Sequence, residues 1–467
     1  MNRINKLLKF LLLVVAVCKV SILFAKVELP SIFRSNMVLQ QKSIVEIWGR
    51  ANPERSIEIV TSWNQKKYTV ISTINGKWKA DVETPEAGGP FSISISDGQE
   101  VELNNILIGE VWFCSGQSNM EMPMKGYRNQ LVLNSNEVIA KSRNESIRFF
   151  TVSKDTSSIP LNDFVGKWQE CEPENVSTFS ATAYFFGKML NDVLGVPIGL
   201  INSSWGGTRI EQWMSSEGID RFKIIPGPEQ KKGDKIASLL YNAMVNPIAG
   251  YNMRGVIWYQ GENNHREHVN YAKLLPDLVE DWRTKWGIGE LAFYYAQIAP
   301  FNYNEPGVNS AFFREAQLMA SDALPNIGMA CLLDIGEEDC IHPANKKAVG
   351  ERLAYQALVK TYGMKGIAYS GPALEKMEVK GSVVELTFNH AENGLTSFGK
   401  TLTLFKLAGN DKNFYPAKAE ITTKGIILSS PRVTEPVSVR YAFDDFVVGE
   451  LYNTEGLPAS SFRTDDW

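Results

Sequence analysis

Residues 111–124 read VWFCSGQSNMEMPM, and the apolar run that feeds them, ILIGEVWFC, begins at Ile106. A nearly unbroken apolar run without alternation predicts a strand buried on both faces, as in a parallel sheet covered by helices. The abrupt change to Ser115, Gly116, Gln117, Ser118 and Asn119 predicts that this strand empties into a loop. Ser118 is then either an ordinary turn residue or a nucleophile displayed at the end of a strand.

The same rhythm continues downstream, in IRFFTV, PIGLINSS, GVIWYQ, LAFYYAQI and GMACLLDIG. Between these runs Phe179, Ala183, Phe186 and Leu190 recur at the spacing of one helix face, with Thr178 or Ser177 available as a cap. LLPDLVEDWRTKW and NKKAVGERLAYQAL repeat that helical pattern. Residues 106–368 are therefore expected to form an α/β domain, a parallel sheet with helices on both faces. Residues 26–105 instead alternate with period two, in SIVEIWG, GKWKADVET and FSISISDG, with Asn75-Gly76 and Asp97-Gly98 as hairpin turns. Alternation returns over residues 369–467, in KGSVVELTFNH and EPVSVRYAF. Two β-sandwich-like regions are expected to flank the α/β domain.

The chain has 467 residues, 44% of them hydrophobic and 21% charged, with a net charge of −4. That balance supplies ample core and no electrostatic footprint for a nucleic-acid partner. Eleven tryptophans and sixteen tyrosines offer flat amphipathic rings of the kind that stack on sugars, although most are expected in the core. At the N-terminus, Arg3, Lys6 and Lys9 precede FLLLVVAVCKVSILFA. This pattern predicts a secretory signal over residues 1–25, cut after Ala25, and a protein exported to the periplasm or secreted. The apolar stretch is shorter than the ~20 residues of a membrane span. Loss of Cys18 leaves Cys114, Cys171, Cys331 and Cys340, whose pairing the sequence leaves open and whose spacing lacks a zinc pattern.

In open α/β sheets ligands bind beyond the carboxyl ends of the strands, so the loops there carry the chemistry. The strands deliver SGQSN with Ser118, WGGT over residues 205–208, QGENN over residues 260–264, and EEDCIHP with Asp339 and His342. A serine nucleophile needs a base, and the base needs a group that fixes its tautomer. Of the four histidines, His390 sits in a strand-like run and His265 and His268 lack a third metal ligand. In Asp339-x-x-His342 the carboxylate can fold back onto the imidazole, leaving the other ring nitrogen for Ser118. Candidate oxyanion donors are the backbone of Ser118, that of Gly206 or Gly207, and the amide of Gln260. Ser118 does not sit in a G-x-S-x-G elbow.

These residues, with NMVLQQ, FSATAYFFGKML, GLINSSWGGTRIEQWMS, LYNAMVNPI, RGVIWYQGENN, REAQ, IHPANKKAVGERLA and LYNTEGLPASSFRTD, resemble the sialate O-acetylesterase family of the SGNH hydrolase superfamily. The resemblance runs over nearly the whole mature length. It implies an SGNH-type, flavodoxin-like sheet, a nucleophile at Ser118, and Asp339 and His342 as the other triad members. It implies Gln260 as oxyanion donor, with Asn263 as the match to the superfamily's asparagine. Gln117, Asn119, Arg209, Glu262 and Asn263 are the expected substrate contacts, Arg209 as partner of a sugar carboxylate or in an ion pair with Glu211. The implied reaction is cofactor-free and metal-free removal of acetyl groups from O-acetylated sialic acids, with acetylated xylan as the runner-up substrate and a non-catalytic sugar-binding protein as the other class. The oligomeric state stays open.

Overall fold

The computed structural model describes residues 27–221 and 237–467. The expected signal segment, residues 1–25, lies outside the described residues. Seven strands build the central sheet: β1 (Glu100–Gly116), β2 (Asn144–Thr151), β3 (Trp168–Cys171), β4 (Ile198–Ser204), β5 (Gly255–Tyr259), β6 (Ala292–Ala296) and β7 (Ile327–Ala330). Their spatial order is β7-β6-β5-β1-β4-β2-β3. All neighbours are parallel except β3, which runs antiparallel to β2.

The nearly unbroken apolar runs follow from burial on both faces. In β1, Val111 and Phe113 join one core while Trp112 and Cys114 join the other. In β5, Val256 and Trp258 point one way, Ile257 and Tyr259 the other. Helices α2 (Ala181–Leu194) and α5 (Lys346–Gln356) cover the second face with Phe186, Leu190, Val349 and Leu353. Helices α3 (His268–Trp286) and α4 (Ala311–Ala320) cover the first with Leu275, Trp282 and Phe313. Burial of each such side chain stabilises the fold by about 1.5–3 kcal/mol.

Two expectations shift. Helix α2 begins after Phe179, and its cap is Ser180, whose Oγ accepts the Ala183 N–H at 3.1 Å. Ser177 and Thr178 instead end a separate short helix, Pro173–Thr178. Phe179 stays in the core by stacking on Phe149 at 4.2 Å. The boundary expected at residue 105 falls inside the single 17-residue strand β1. Its first part pairs with Gly88–Ser96 and Val38–Gln40, and its second with β4 and β5. N-terminal and central strands thus form one eleven-stranded sheet over a shared apolar core.

Beyond Ala373 the chain forms two four-stranded antiparallel sheets and a smaller two-stranded one. Arg314 of α4, fully buried, ties this region to the central domain by donating to Ser461 Oγ and to the Asp444 and Asp445 carbonyls. Cys114, Cys171, Cys331 and Cys340 are all unpaired. Among the described residues no helix is long and apolar enough to cross a membrane, and no cluster of three His, Cys, Asp or Glu side chains forms a metal site.

Candidate active site

The chain lays β2 to β4 on one side of β1 and β5 to β7 on the other. The carboxyl end of β1 is therefore the topological switch point, where adjacent loops diverge and leave a crevice. Gly116 ends the strand at φ +137°, and a Cβ there would stand 2.1 Å from the Tyr259 carbonyl oxygen. Only glycine fits so close an approach with that backbone. The Gln117 N–H donates to the same carbonyl at 2.9 Å, and the chain then turns into α1 (Ser118–Glu121), with Ser118 at its first position.

Ser118 Oγ lies 2.8 Å from His342 Nε2, across 224 residues of chain. Both line a pocket of about 490 Å³ with Tyr127, Lys154, Trp205 and Gly207. The Tyr127 hydroxyl donates to the Ser118 carbonyl at 3.2 Å, and its ring meets the imidazole edge-on at 5.4 Å. Burial, and then the charge of Lys346, push the His342 pKa down to about 4. The imidazole is accordingly neutral at pH 7, as a general base must be.

Asp339 is not the partner of that imidazole in this structure. His342 Nδ1 lies 2.7 Å from Gln130 Oε1 instead. Asp339 falls in the turn bridged between Glu337 and Cys340, is exposed, and makes no hydrogen bond or ion pair among the described residues. That turn carries its carboxylate toward solvent. The following helix is capped by Asn345, whose Oδ1 accepts the Ala348 N–H.

The expected oxyanion donors separate in the same way. Gly206 N–H is committed to Glu121 Oε2 at 2.6 Å, and Glu121 Oε1 accepts from Lys154 at 2.6 Å. Gln260 is fully buried, and its amide donates to the Thr208 carbonyl and to Asn264 Oδ1. It braces the loop below the pocket and cannot face a substrate. The N–H groups of Ser118 and Gly207 have no acceptor among the described residues. Asn263 is exposed, lines the pocket, and spends one amide N–H on the Gly207 carbonyl at 2.8 Å.

Of the expected substrate contacts, Gln117 and Glu262 line the pocket but are nearly buried. Asn119 is fully buried and works as a tether: its Nδ2 donates to Glu262 Oε1 at 2.5 Å and to the Ile341 carbonyl at 3.0 Å, while its Oδ1 accepts from Lys346. One side chain thus joins the serine turn, the glutamate loop and the residue before His342. Burial pushes the Lys346 pKa down to about 7 and raises that of Glu262, whose Oε2 has no partner among the described residues. Arg209 lies outside the pocket, paired with Glu267 and with Glu211 at 3.1 Å. That is the ion-pair alternative, with Glu267 added. His265 stacks on Tyr303 at 3.9 Å and meets Glu305, which accounts for it without a metal.

Gln130, Tyr127, Glu121, Lys154 and Lys346 were absent from the sequence-based candidates. Lys346 has a weak signal, four residues after His342 at the start of α5. Gln130 had none, since nothing in a polar loop marks one glutamine as an imidazole partner.

Residues 108–359, just over half of the chain, match the family model described as carbohydrate esterase, sialic acid-specific acetylesterase. The sialate O-acetylesterase of Homo sapiens is 30% identical over 75% of this chain and 74% of its own length. That of Mus musculus is 27% identical over 91% and 92%. A solved structure of a carbohydrate acetylesterase from Xanthomonas citri is 33% identical, covers 94% of this chain and all of its own, and superposes with a TM-score of 0.87. A serine and a neutral histidine in hydrogen-bond contact at the switch point are the chemistry such an esterase requires, and the chain belongs to the carbohydrate esterase family of sialic acid-specific acetylesterases.

Proposed function

We propose that this esterase removes acetyl groups from O-acetylated sialic acids through an acyl-enzyme on Ser118. The observation that carries the mechanism is the 2.8 Å contact between Ser118 Oγ and His342 Nε2 inside a sugar-sized pocket. Ser118 attacks the acetyl carbonyl as His342 accepts its proton, and the oxyanion forms toward the N–H groups of Ser118 and Gly207 and the free amide N–H of Asn263. His342 then protonates the departing sugar hydroxyl. A water, deprotonated by the same imidazole, attacks the acetyl-serine and releases acetate. The half-exposed Trp205 offers a stacking face for the sugar ring, and Lys154 above it, 5.6 Å from the ring centre and paired with Glu121, keeps further N–H donors for the oxygens of an acidic sugar. The parallel sheet with its switch-point serine supports an SGNH-type arrangement, and the N-terminal sequence supports export.

The test is acetate release from O-acetylated sialic acid and from acetylated xylan, by wild type and by Ser118→Ala. Faster turnover of the sialic acid, abolished in the variant, is expected. Preference for xylan would overturn the substrate, and undiminished turnover by folded Ser118→Ala would overturn the mechanism.

A further inference from the structure

We propose that Gln130 is the positioning residue of the catalytic base, the neutral side chain that holds His342 in the tautomer able to take the Ser118 proton. The proposal rests on the reading of Ser118 and His342 as nucleophile and base. For Nε2 to accept the serine proton, Nδ1 must carry the ring's own proton and needs an acceptor for it. The atom 2.7 Å from Nδ1 is Gln130 Oε1. Were Asp339 in that place, its charge would both orient the ring and stabilise the imidazolium; a carboxamide orients only.

The loop bearing Gln130 is built for that task. Met124 and Lys125 N–H groups bond the Phe179 and Ser177 carbonyls at 2.9 and 3.0 Å, and the Leu133 N–H bonds the Ala344 carbonyl, two residues beyond His342, at 3.0 Å. Between these anchors the Gln130 N–H closes a turn onto the Tyr127 carbonyl at 3.1 Å. Gly126, at φ +81°, lies so close beneath that a Cβ would stand 2.3 Å from the Gln130 carbonyl oxygen. The turn that aims Gln130 at Nδ1 also sets Tyr127 against the imidazole edge and the Ser118 carbonyl. Gln130 does not line the pocket, so it acts on the base rather than on substrate.

The other titratable or charged groups around the imidazole include Tyr127 from the same loop, Lys346 from α5, Glu121, Lys154 and Glu262 on the pocket wall, Glu337, whose Oε1 accepts the Ala344 N–H at 2.7 Å, and Cys340, whose Sγ contacts the His342 carbonyl. Among these groups and Gln130, no carboxylate bonds Nδ1. Burial and the Lys346 charge therefore act on His342 without an opposing partner, consistent with its lowered pKa.

The test compares wild type, Gln130→Ala, Gln130→Glu, Asp339→Asn, Ser118→Ala and His342→Ala in acetate release from a neutral acetyl ester, from pH 3 to 9. Gln130→Ala is expected to lower kcat about a hundredfold with KM nearly unchanged. Gln130→Glu, of the same shape, is expected to stay active and to move the acid limb of kcat/KM up by about 1 to 3 pH units, as a carboxylate beside an imidazole does. Asp339→Asn is expected to match wild type. The proposal is overturned if folded Gln130→Ala retains wild-type kcat, if Gln130→Glu leaves the acid limb in place, or if Asp339→Asn falls as far as His342→Ala. Should Gln130→Ala fail to fold, the near-isosteric glutamate variant decides alone. Full turnover by Ser118→Ala and His342→Ala would instead remove the catalytic reading, and the proposal with it.

Discussion

The lowered basicity of His342 makes a quantitative prediction about pH. An imidazole with its ordinary pKa near 6.5 is about 3% neutral at pH 5 and about 76% neutral at pH 7, so its esterase would lose activity about 25-fold between them. With the pKa pushed down to about 4, first by burial and second by the Lys346 ammonium, about nine-tenths remains neutral at pH 5. The value of kcat/KM should then fall by less than about a fifth over that interval, with the acid limb appearing near pH 4. The assay is acetate release from an uncharged acetyl ester at subsaturating concentration, with circular dichroism recorded at each pH to show that the fold persists. A tenfold or greater fall between pH 7 and 5, with unchanged dichroism, would refute the argument that burial and Lys346 govern this base. The same shift couples folding to pH with a definite sign. Between pH 6.5 and 4 the unfolded histidine binds a proton that the folded one refuses, so the stability that depends on neutral His342 is present above pH 6.5 and lost as pH falls through about 4.

Two substitutions separate catalytic from structural roles in the loops. Asn263→Ala should lower kcat by about ten- to a hundredfold while preserving Tm, whereas Gln260→Ala should lower stability by about 1–3 kcal/mol through unpaired buried groups, as read by urea denaturation. Equal kinetic losses without a stability difference would place Gln260 in the oxyanion site after all. Gly116→Ala, forced to put a methyl 2.1 Å from the Tyr259 carbonyl at φ +137°, should cost more than about 2 kcal/mol and depress activity in whatever protein folds; a variant with wild-type Tm and kcat would contradict that geometry.

Much of this architecture is legible along the chain because it is local. A nearly unbroken apolar run at 106–114, interrupted by Glu110, and an unbroken one at 255–259 mark strands buried on both faces, and the spacing of Ala183, Phe186 and Leu190 marks the covering helix. The cap of that helix is not legible in the sequence because Ser177, Thr178 and Ser180 are all competent, and the bond from Ser180 to the Met120 carbonyl singles it out. The change of partner partway along β1, which carries one strand across the boundary expected at residue 105, leaves no mark in the residues themselves.

The site divides along the same line. Ser118 and His342 are identifiable because each lies in the segment that follows an apolar strand, and switch-point topology brings such segments together wherever strand order reverses. Which acceptor holds His342 was beyond sequence reasoning: Asp339 is three residues away and Gln130 is 212, yet hydrogen bonding is decided by where a side chain points. Sequence proximity brought a carboxylate near the histidine, but the turn at Glu337–Cys340 sends it to solvent, while anchors at Phe179 and Ala344 carry a distant amide to Nδ1. Burial decided the rest, converting Asn119 and Gln260 from expected ligand contacts into braces, because a fully buried amide must spend its hydrogen bonds on the protein around it.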